Sequence, residues 1–418
     1  MSAARKYTAT IDPRRSDRIE RKSVGAKASA FLFEGSSMIR NVVVVGAGVG
    51  GLAVATALAR QGVAVTLYEK APRIVEVGAG LQISPNGLAV LRALGIEEAL
   101  ERAGAVRATS VVLEDYKAGA EVARLDLTRL QDQKYLFVHR HDLITLLAKA
   151  ATQAGVTLEL GQEVTGIAPG TLPEMQLGTG QTVRAEAVIC ADGIHSVGRD
   201  VVSPGSTASF TGQVAWRATV PARDPAPEAR VTMGPGRHLV RYPLKAGALM
   251  NIVAVQERDA WAEEGWNHAD DPANLQAAFA DFGGSAGDLL RRVEAVSLWG
   301  LFRHPVAETW RAGNVALLGD AAHPTLPFLA QGANLALEDA WVLATCLMDG
   351  RADQYQEMRK PRATRVIDAA SGNARKYHLK NGPVRQLAHL GLSLGSRLAP
   401  GLMMRQFNWL YGYDVTKT

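Results

Sequence analysis

The sequence predicts an α/β protein: a Rossmann-like, doubly wound dinucleotide-binding domain with an inserted β-sheet domain and C-terminal helices. Three observations lead there. The apolar run Val42-Val43-Val44-Val45 is followed at once by Gly46, Gly48 and Gly51, and Glu69 closes a second apolar run at 63–68. Two later apolar segments, 187–192 and 315–320, each run from strand into turn. Between them, residues 203–298 are richer in Pro and Gly and dominated by short strand patterns. Such interleaving is the pattern of an insertion into a doubly wound fold. The chain's 418 residues exceed the size at which one core keeps growing, so two domains with appendages are expected.

Residues 1–37 carry eight basic side chains against four acidic ones, which accounts for most of the net charge of +5. The rest of the chain is nearly neutral and does not read as a nucleic-acid binder. The segment lacks the apolar core of a secretory signal, and its acids argue against a transit peptide. It reads as a disordered basic leader, with Met38 just before the first strand. In the motif that follows, Gly46 permits a tight turn, Gly48 lets backbone approach a pyrophosphate, and Gly51 lets helix pack on strand. Glu69 is placed to accept hydrogen bonds from an unphosphorylated ribose diol.

A glycine-rich loop follows at 77–82, then a helix at 85–94, alternating strands over 107–138 and a helix at 141–154. Strands near 156–160 and 186–191 precede the insertion, whose strands include 213–220 and 238–242, and a helix spans 331–348. The expected division is a leader (1–37) and a discontinuous dinucleotide-binding domain (38–106, 139–202 and 299–365). A substrate domain (107–138 and 203–298) and a C-terminal helical segment (366–418) complete it. Cys190 and Cys346 fall in a strand and a helix and read as core residues, which fits a reducing cytoplasm. No run of 18 apolar residues exists, so no membrane span is expected, and no metal site is expected.

Two further motifs sharpen the reading. Ala187-Val188-Ile189-Cys190-Ala191-Asp192-Gly193 ends a strand in Asp-Gly, with Arg199 after it. Val315-Ala316-Leu317-Leu318-Gly319-Asp320 ends another in Gly-Asp, and Gln331-Gly332-Ala333-Asn334 opens a helix. With the glycine motif, in this order and separation, the chain from residue 38 onward resembles the single-component FAD-dependent aromatic hydroxylases of the para-hydroxybenzoate hydroxylase type. The likeness is greatest to the salicylate, 3-hydroxybenzoate 6- and 6-hydroxynicotinate hydroxylase group. The resemblance implies FAD, held by Gly46, Gly48, Gly51, Glu69, Lys70, Arg140, Asp192 and Asp320. It also puts the backbone of Gly332, Ala333 and Asn334 beside the flavin pyrimidine. Arg199 matches a position at the flavin and nicotinamide face. No second dinucleotide loop is encoded, so NADH or NADPH is expected to dock transiently, with NADH favoured by the resemblance.

The implied reaction reduces FAD with NAD(P)H and passes one atom of O₂, through a flavin C4a-hydroperoxide, to an electron-rich ring. A phenol becomes a good nucleophile on losing its proton, and histidine is the natural base near neutral pH. His238 is the preferred candidate. It shares one face of a strand with Tyr242, and the resemblance places a matching His and Tyr in the substrate pocket. His323 and His195 are weaker candidates. Pro327 falls where the family places residues beside the reacting ring edge, and Phe328 follows where relatives have polar side chains. Gln82, Trp216 and Arg217 are further pocket candidates. The expected partners are a small aromatic acid or phenol, NAD(P)H, O₂ and a second copy of the chain in a homodimer. Two rival readings stay open: a flavoenzyme of the same scaffold acting on a larger polyketide, quinone precursor or lipid, and a non-catalytic FAD-binding protein. The Trp-x-Trp-x-Ile-Pro motif of flavin halogenases is not found.

Overall fold

The computed structural model describes residues 39–74, 80–130, 133–259 and 268–417. The leader, Met38 and Val77-Gly78-Ala79 of the glycine-rich loop lie outside the described residues.

A six-stranded sheet is ordered Arg311–Ala312, Val315–Leu317, Ala187–Cys190, Asn41–Val45, Ala64–Glu69, Thr157–Leu160. All its pairings are parallel except the first. Val42 to Val45 are at most 5% exposed, because helices cover both faces of the sheet and a strand buried on both faces is apolar throughout. The strand Asn41–Val45 sits between a strand that follows it directly and one that returns much later, so the strand order reverses there. At such a switch point the adjoining loops diverge and open a cleft at the carboxyl ends of the strands. The helix Val49–Ala59 starts at that cleft and packs between the helices Arg140–Gln153 and Gly332–Met348.

An eight-stranded sheet has the order His268–Asp270, Val296–Arg303, Ser209–Pro221, Leu249–Glu257, Arg237–Leu244, Glu228–Gly234, Ser110–Asp115, Glu121–Asp126. Its pairings are antiparallel except that of Glu228–Gly234 with Ser110–Asp115. Successive side chains point to opposite faces. One face, with Val214, Trp216, Leu239, Ile252 and Ala254, is sealed by Leu275, Phe279, Phe282 and Leu290. The other face carries Arg217, His238, Val240, Tyr242, Val253 and Val255 toward the cleft.

A short antiparallel sheet pairs Leu136–His139 with Gly80–Ile83 on one side and Val106–Arg107 on the other, and its strands are interleaved in sequence with those of both larger sheets. The helices Gln354–Tyr377, Gly382–Leu398, Pro400–Arg405 and Asn408–Tyr411 complete the fold. Cys190 and Cys346 are free and buried. Among the described residues, no helix is long and apolar enough to cross a membrane.

Candidate active site

A cavity of about 300 Å³ opens where the cleft meets the eight-stranded sheet. Its nucleotide side is made of chain turns. At Gly46 the backbone adopts φ +98°, and a Cβ there would stand 2.6 Å from the Ala191 carbonyl oxygen. At Gly51 a Cβ would stand 1.9 Å from the Gly46 oxygen, so helix and strand touch backbone to backbone. A Cβ on Gly48 would meet nothing within 4 Å, and Gly48 itself lines the cavity. Gly48 also leads into the helix Val49–Ala59 without a side-chain cap, so the first N–H groups are left for a ligand. The helix Gly332–Met348 likewise starts uncapped, with Gly332 and Ala333 in the cavity wall.

Glu69 holds the glycine turn. Its Oε2 accepts from Ala47 N–H (2.8 Å) and its Oε1 from Ala71 N–H (2.9 Å), and each oxygen keeps a second acceptor direction. Lys70 beside it is exposed. Asp192 Oδ2 accepts from Val197 N–H (2.9 Å), and burial raises its carboxyl pKa. Asp320 is exposed to the cavity that it lines, and desolvation raises its carboxyl pKa against the opposing pull of His323 and Arg140. Arg140, first residue of its helix, lines the same cavity.

Asn334 turns its side chain away from the cavity. It accepts from Ser84 N–H (3.0 Å) and donates to Gln82 O (3.0 Å) and Ala330 O (2.8 Å). Ala330 is held at φ +52°, a left-handed conformation costly for a residue with a Cβ. The clamp therefore ties the helix start to the strand that carries Gln82. Arg199 is also turned inward, donating to the carbonyls of Ala321, Ala322 and Pro305, and so braces the Gly-Asp turn from behind.

The sheet side of the cavity brings together His238, Tyr242, Arg217, Gln82 and Pro327. Tyr242 packs on Phe137, and burial pushes its hydroxyl above the usual tyrosine range. Gln82 Oε1 accepts from Tyr135 O–H (2.8 Å). Phe328 lies behind Pro327 and packs edge-on against His238, with ring centroids 5.4 Å apart. Trp216 is not in this wall. It points to the sealed face, where its Nε1–H donates to Asp270 (2.6 Å) and its ring packs on Phe279. Its neighbour Arg217 takes the cavity side, as alternation along a strand requires. The Arg217 guanidinium lies 4.4 Å over the Trp299 ring, and its buried Nε has no hydrogen-bond partner among the described residues. His323 is buried away from the cavity, 2.5 Å from Asp339, and His195 is exposed.

Two residues escaped sequence reasoning. His378 ends the helix Gln354–Tyr377 and places its Nε2 2.7 Å from His238 Nδ1. Glu257 ends its strand and places Oε1 3.0 Å from His378 Nδ1. Neither belongs to a motif, and His378 is 140 positions from His238 and 121 from Glu257.

The donor set suits FAD. The two uncapped helix starts and Arg140 would offer positive ends to phosphates and to a reduced flavin, and Glu69 and Asp320 would offer acceptors to sugar hydroxyls. The comparisons agree. Residues 40–370 match the family described as FAD binding domain. The chain is 37% identical over 361 residues to 3-amino-4-hydroxybenzoate 2-monooxygenase of Streptomyces cremeus, covering 82% of this chain and 89% of that one. It is 32% identical over 401 residues to 3-hydroxybenzoate 6-hydroxylase 1 of Aquipseudomonas alcaligenes, covering 91% and 99%. A salicylate hydroxylase substrate complex shares the fold, with a TM-score of 0.77 at 23% identity over 91% of this chain and 97% of that one. With the glycine turn, the Gly-Asp turn and these likenesses in place, the chain belongs to the FAD-binding monooxygenase family and is an FAD-dependent aromatic monooxygenase.

Proposed function

We propose that this enzyme uses NAD(P)H and O₂ to hydroxylate a small aromatic acid that carries a ring hydroxyl. The observation that carries this reading is the pairing of Arg217 and His238 on one face of one sheet, both lining the cavity. A cation without an ion-pair partner among the described residues suits a carboxylate, and a histidine suits a phenolic proton. The relatives' names, both hydroxylated benzoates, support the same class.

When bound, FAD supplies the redox chemistry: hydride acceptance and oxygen activation. The chain's own residues would do the rest. Gly48, Arg140 and the two helix starts would hold phosphates and favour negative charge on the flavin. Gly46 and Gly51, with Glu69, keep that turn in shape. Asp320 would take the ribityl hydroxyls, and Asp192, one strand over, would orient the turn beside it. Arg217 would fix the substrate by its carboxylate, His238 would take the ring hydroxyl's proton, and Tyr242 would hold that oxygen. Pro327, Val240, Val253 and Val255 would form dry walls that exclude water, with Phe328 backing Pro327 and His238. The exposed leucines Leu387, Leu390, Leu394 and Leu398 support a homodimer through the helix Gly382–Leu398. Dependence on NAD(P)H fits a cytoplasmic reaction.

The test is NADH and NADPH oxidation by the purified yellow protein across a panel of hydroxybenzoates, hydroxynicotinates and neutral phenols, with products identified. Acceleration and ring hydroxylation with the acids support the reading. Turnover confined to neutral phenols, or peroxide release with every compound, refutes it.

A further inference from the structure

We propose that His238, His378 and Glu257 form a proton wire that carries the substrate's phenolic proton from the cavity to solvent. The inference rests on the proposed function, in which His238 receives that proton.

The geometry is continuous. His238 is 1% exposed, and its Nδ1 lies 2.7 Å from Nε2 of His378, itself 4% exposed. Nδ1 of His378 lies 3.0 Å from Glu257 Oε1. The Glu257 side chain is 34% exposed and reaches the surface, where its Oε2 is 2.7 Å from Lys380 Nζ. Backbone pins the outer end: Gly236 N–H donates to His378 O (3.2 Å), and Glu257 N–H donates to Gly236 O (2.9 Å).

Chemistry sets its direction. An ionised carboxylate only accepts, so His378 Nδ1 must donate to Glu257, which leaves His378 Nε2 as an acceptor. His238 Nδ1 then donates, and His238 Nε2 is left bare for the cavity. One surface carboxylate thereby selects the tautomer of two buried rings. Burial alone would raise the Glu257 carboxyl, but hydrogen bonds from Lys380 and His378 outweigh it and hold it below its usual range. The ionised form is thus the resting one.

A wire answers a difficulty that His238 alone would face. Burial, and then the neighbouring His378, depress its basicity well below that of an ordinary histidine. Burial depresses His378 too, against the pull of Glu257. The other ionisable groups near the ring are Tyr377, which packs against it, and Tyr242, Arg217, Arg140 and Asp320, which line the same cavity. The one acid among them, Asp320, is not among the groups that act on His238, whose only charged influence is His378. A proton taken from a phenol could not rest on His238, but it can pass through. The substrate O–H bond breaks as its proton joins His238 Nε2. The Nδ1 proton of His238 moves to His378 Nε2, and the Nδ1 proton of His378 moves to Glu257 and on to water. One proton leaves, the phenolate electron pair stays on oxygen, and no electron changes hands. Both rings finish in the opposite tautomer. A proton returning inward to the product's oxygen resets them.

The experiment uses the FAD-loaded enzyme and 4-hydroxy-3-nitrobenzoate, whose phenolate absorbs visible light. Stopped-flow mixing records phenolate appearance, and an indicator dye records proton release. His378→Gln keeps an acceptor oxygen for His238 but cannot relay. We expect ionisation to slow on the order of 10²-fold, with FAD content unchanged. We also expect a solvent-deuterium inventory that is curved in the wild type to become linear, which a packing defect would not produce. Glu257→Gln, at the surface, offers His378 an N–H donor that favours the wrong tautomer, so ionisation should slow there too. It decides the matter if His378→Gln fails to hold FAD. Wild-type ionisation rates in the folded variants, or an unchanged inventory, overturn the wire. Fast ionisation in His238→Gln, or an enzyme that leaves the probe protonated, instead refutes His238 as the base, and the wire falls with it.

Discussion

Replacing Arg217 by Gln should cost affinity for aromatic acids and little else. The guanidinium is held against Trp299 at 4.4 Å, which leaves an edge for a planar carboxylate. Burial, and then the nearby Arg140, lower its pKa, so its charge sits in a poorly solvated place before any ligand arrives. The desolvation cost is therefore already carried by the folded protein, and an arriving carboxylate meets a cation that needs it. A charge-assisted hydrogen bond contributes about 1.5–3 kcal/mol net, which is on the order of 10- to 150-fold in affinity. The assay is equilibrium titration of flavin absorbance or fluorescence with 3-hydroxybenzoate and, in parallel, with phenol. Arg217→Gln should weaken the acid by that factor and leave phenol within about twofold, a difference below ~0.5 kcal/mol. Equal losses on both ligands would mean the arginine serves the shape of the cavity, and the assignment of a carboxylate to it would fail.

His238→Ala should retain FAD but slow hydroxylation by ~10²–10⁴-fold. The defect should shrink as pH rises toward the free phenol's pKa, with hydrogen peroxide replacing product, and an unchanged product yield refutes the base. Gly51→Ala would drive a methyl into the Gly46 oxygen, 1.9 Å away. It should cost about 1–3 kcal/mol of stability and lower FAD content per protein, and full flavin loading at the wild-type Tm would contradict this. Burial lowers the pKa of His238, His378 and His139, so below about pH 6.5 the unfolded chain takes up protons that the native one refuses. Tm should therefore fall as pH drops through the range from about 6.5 to 5, although Asp192 and Asp320, raised by desolvation, push the other way at its acidic end. A Tm that stays level or rises on acidification would refute that balance.

The parts of the fold legible in the sequence were those whose contacts are local. The first strand, glycine turn, helix and Glu69 lie within thirty residues, and their pattern carries the backbone contacts directly. The two later strand-to-turn junctions were equally plain, since each is a contiguous run. Alternation put His238 and Tyr242 on one face, but it could not say which face looks into the cleft. Trp216 and Arg217 therefore stood together as candidates until the helices over Trp216 marked that face as the sealed one. The partners of His238 were beyond reach for another reason: chain closure over more than a hundred residues leaves no periodicity or motif at either end. Asn334 was read with the helix start beside it, yet its side chain serves the Gln82 strand, a contact 252 positions away.

The one parallel pairing in the larger sheet has a consequence for how the protein is made. Glu228 pairs with Ser110, across 118 positions, and the intervening chain supplies a helix and strands of the other sheet. On a ribosome the hairpin 110–126 emerges long before the strand that completes it, and it must wait with one edge bare. Its closure comes only after the Ala187–Cys190 strand has been synthesised, and it is a pairing of high sequence separation, which slows folding. The cavity-bearing half cannot be cut out and expressed alone, because its sheet would lose two edge strands and gain an adhesive border. Yields should accordingly respond to slower synthesis at lower temperature more than to added flavin, since the vulnerable species precedes any pocket for flavin to occupy.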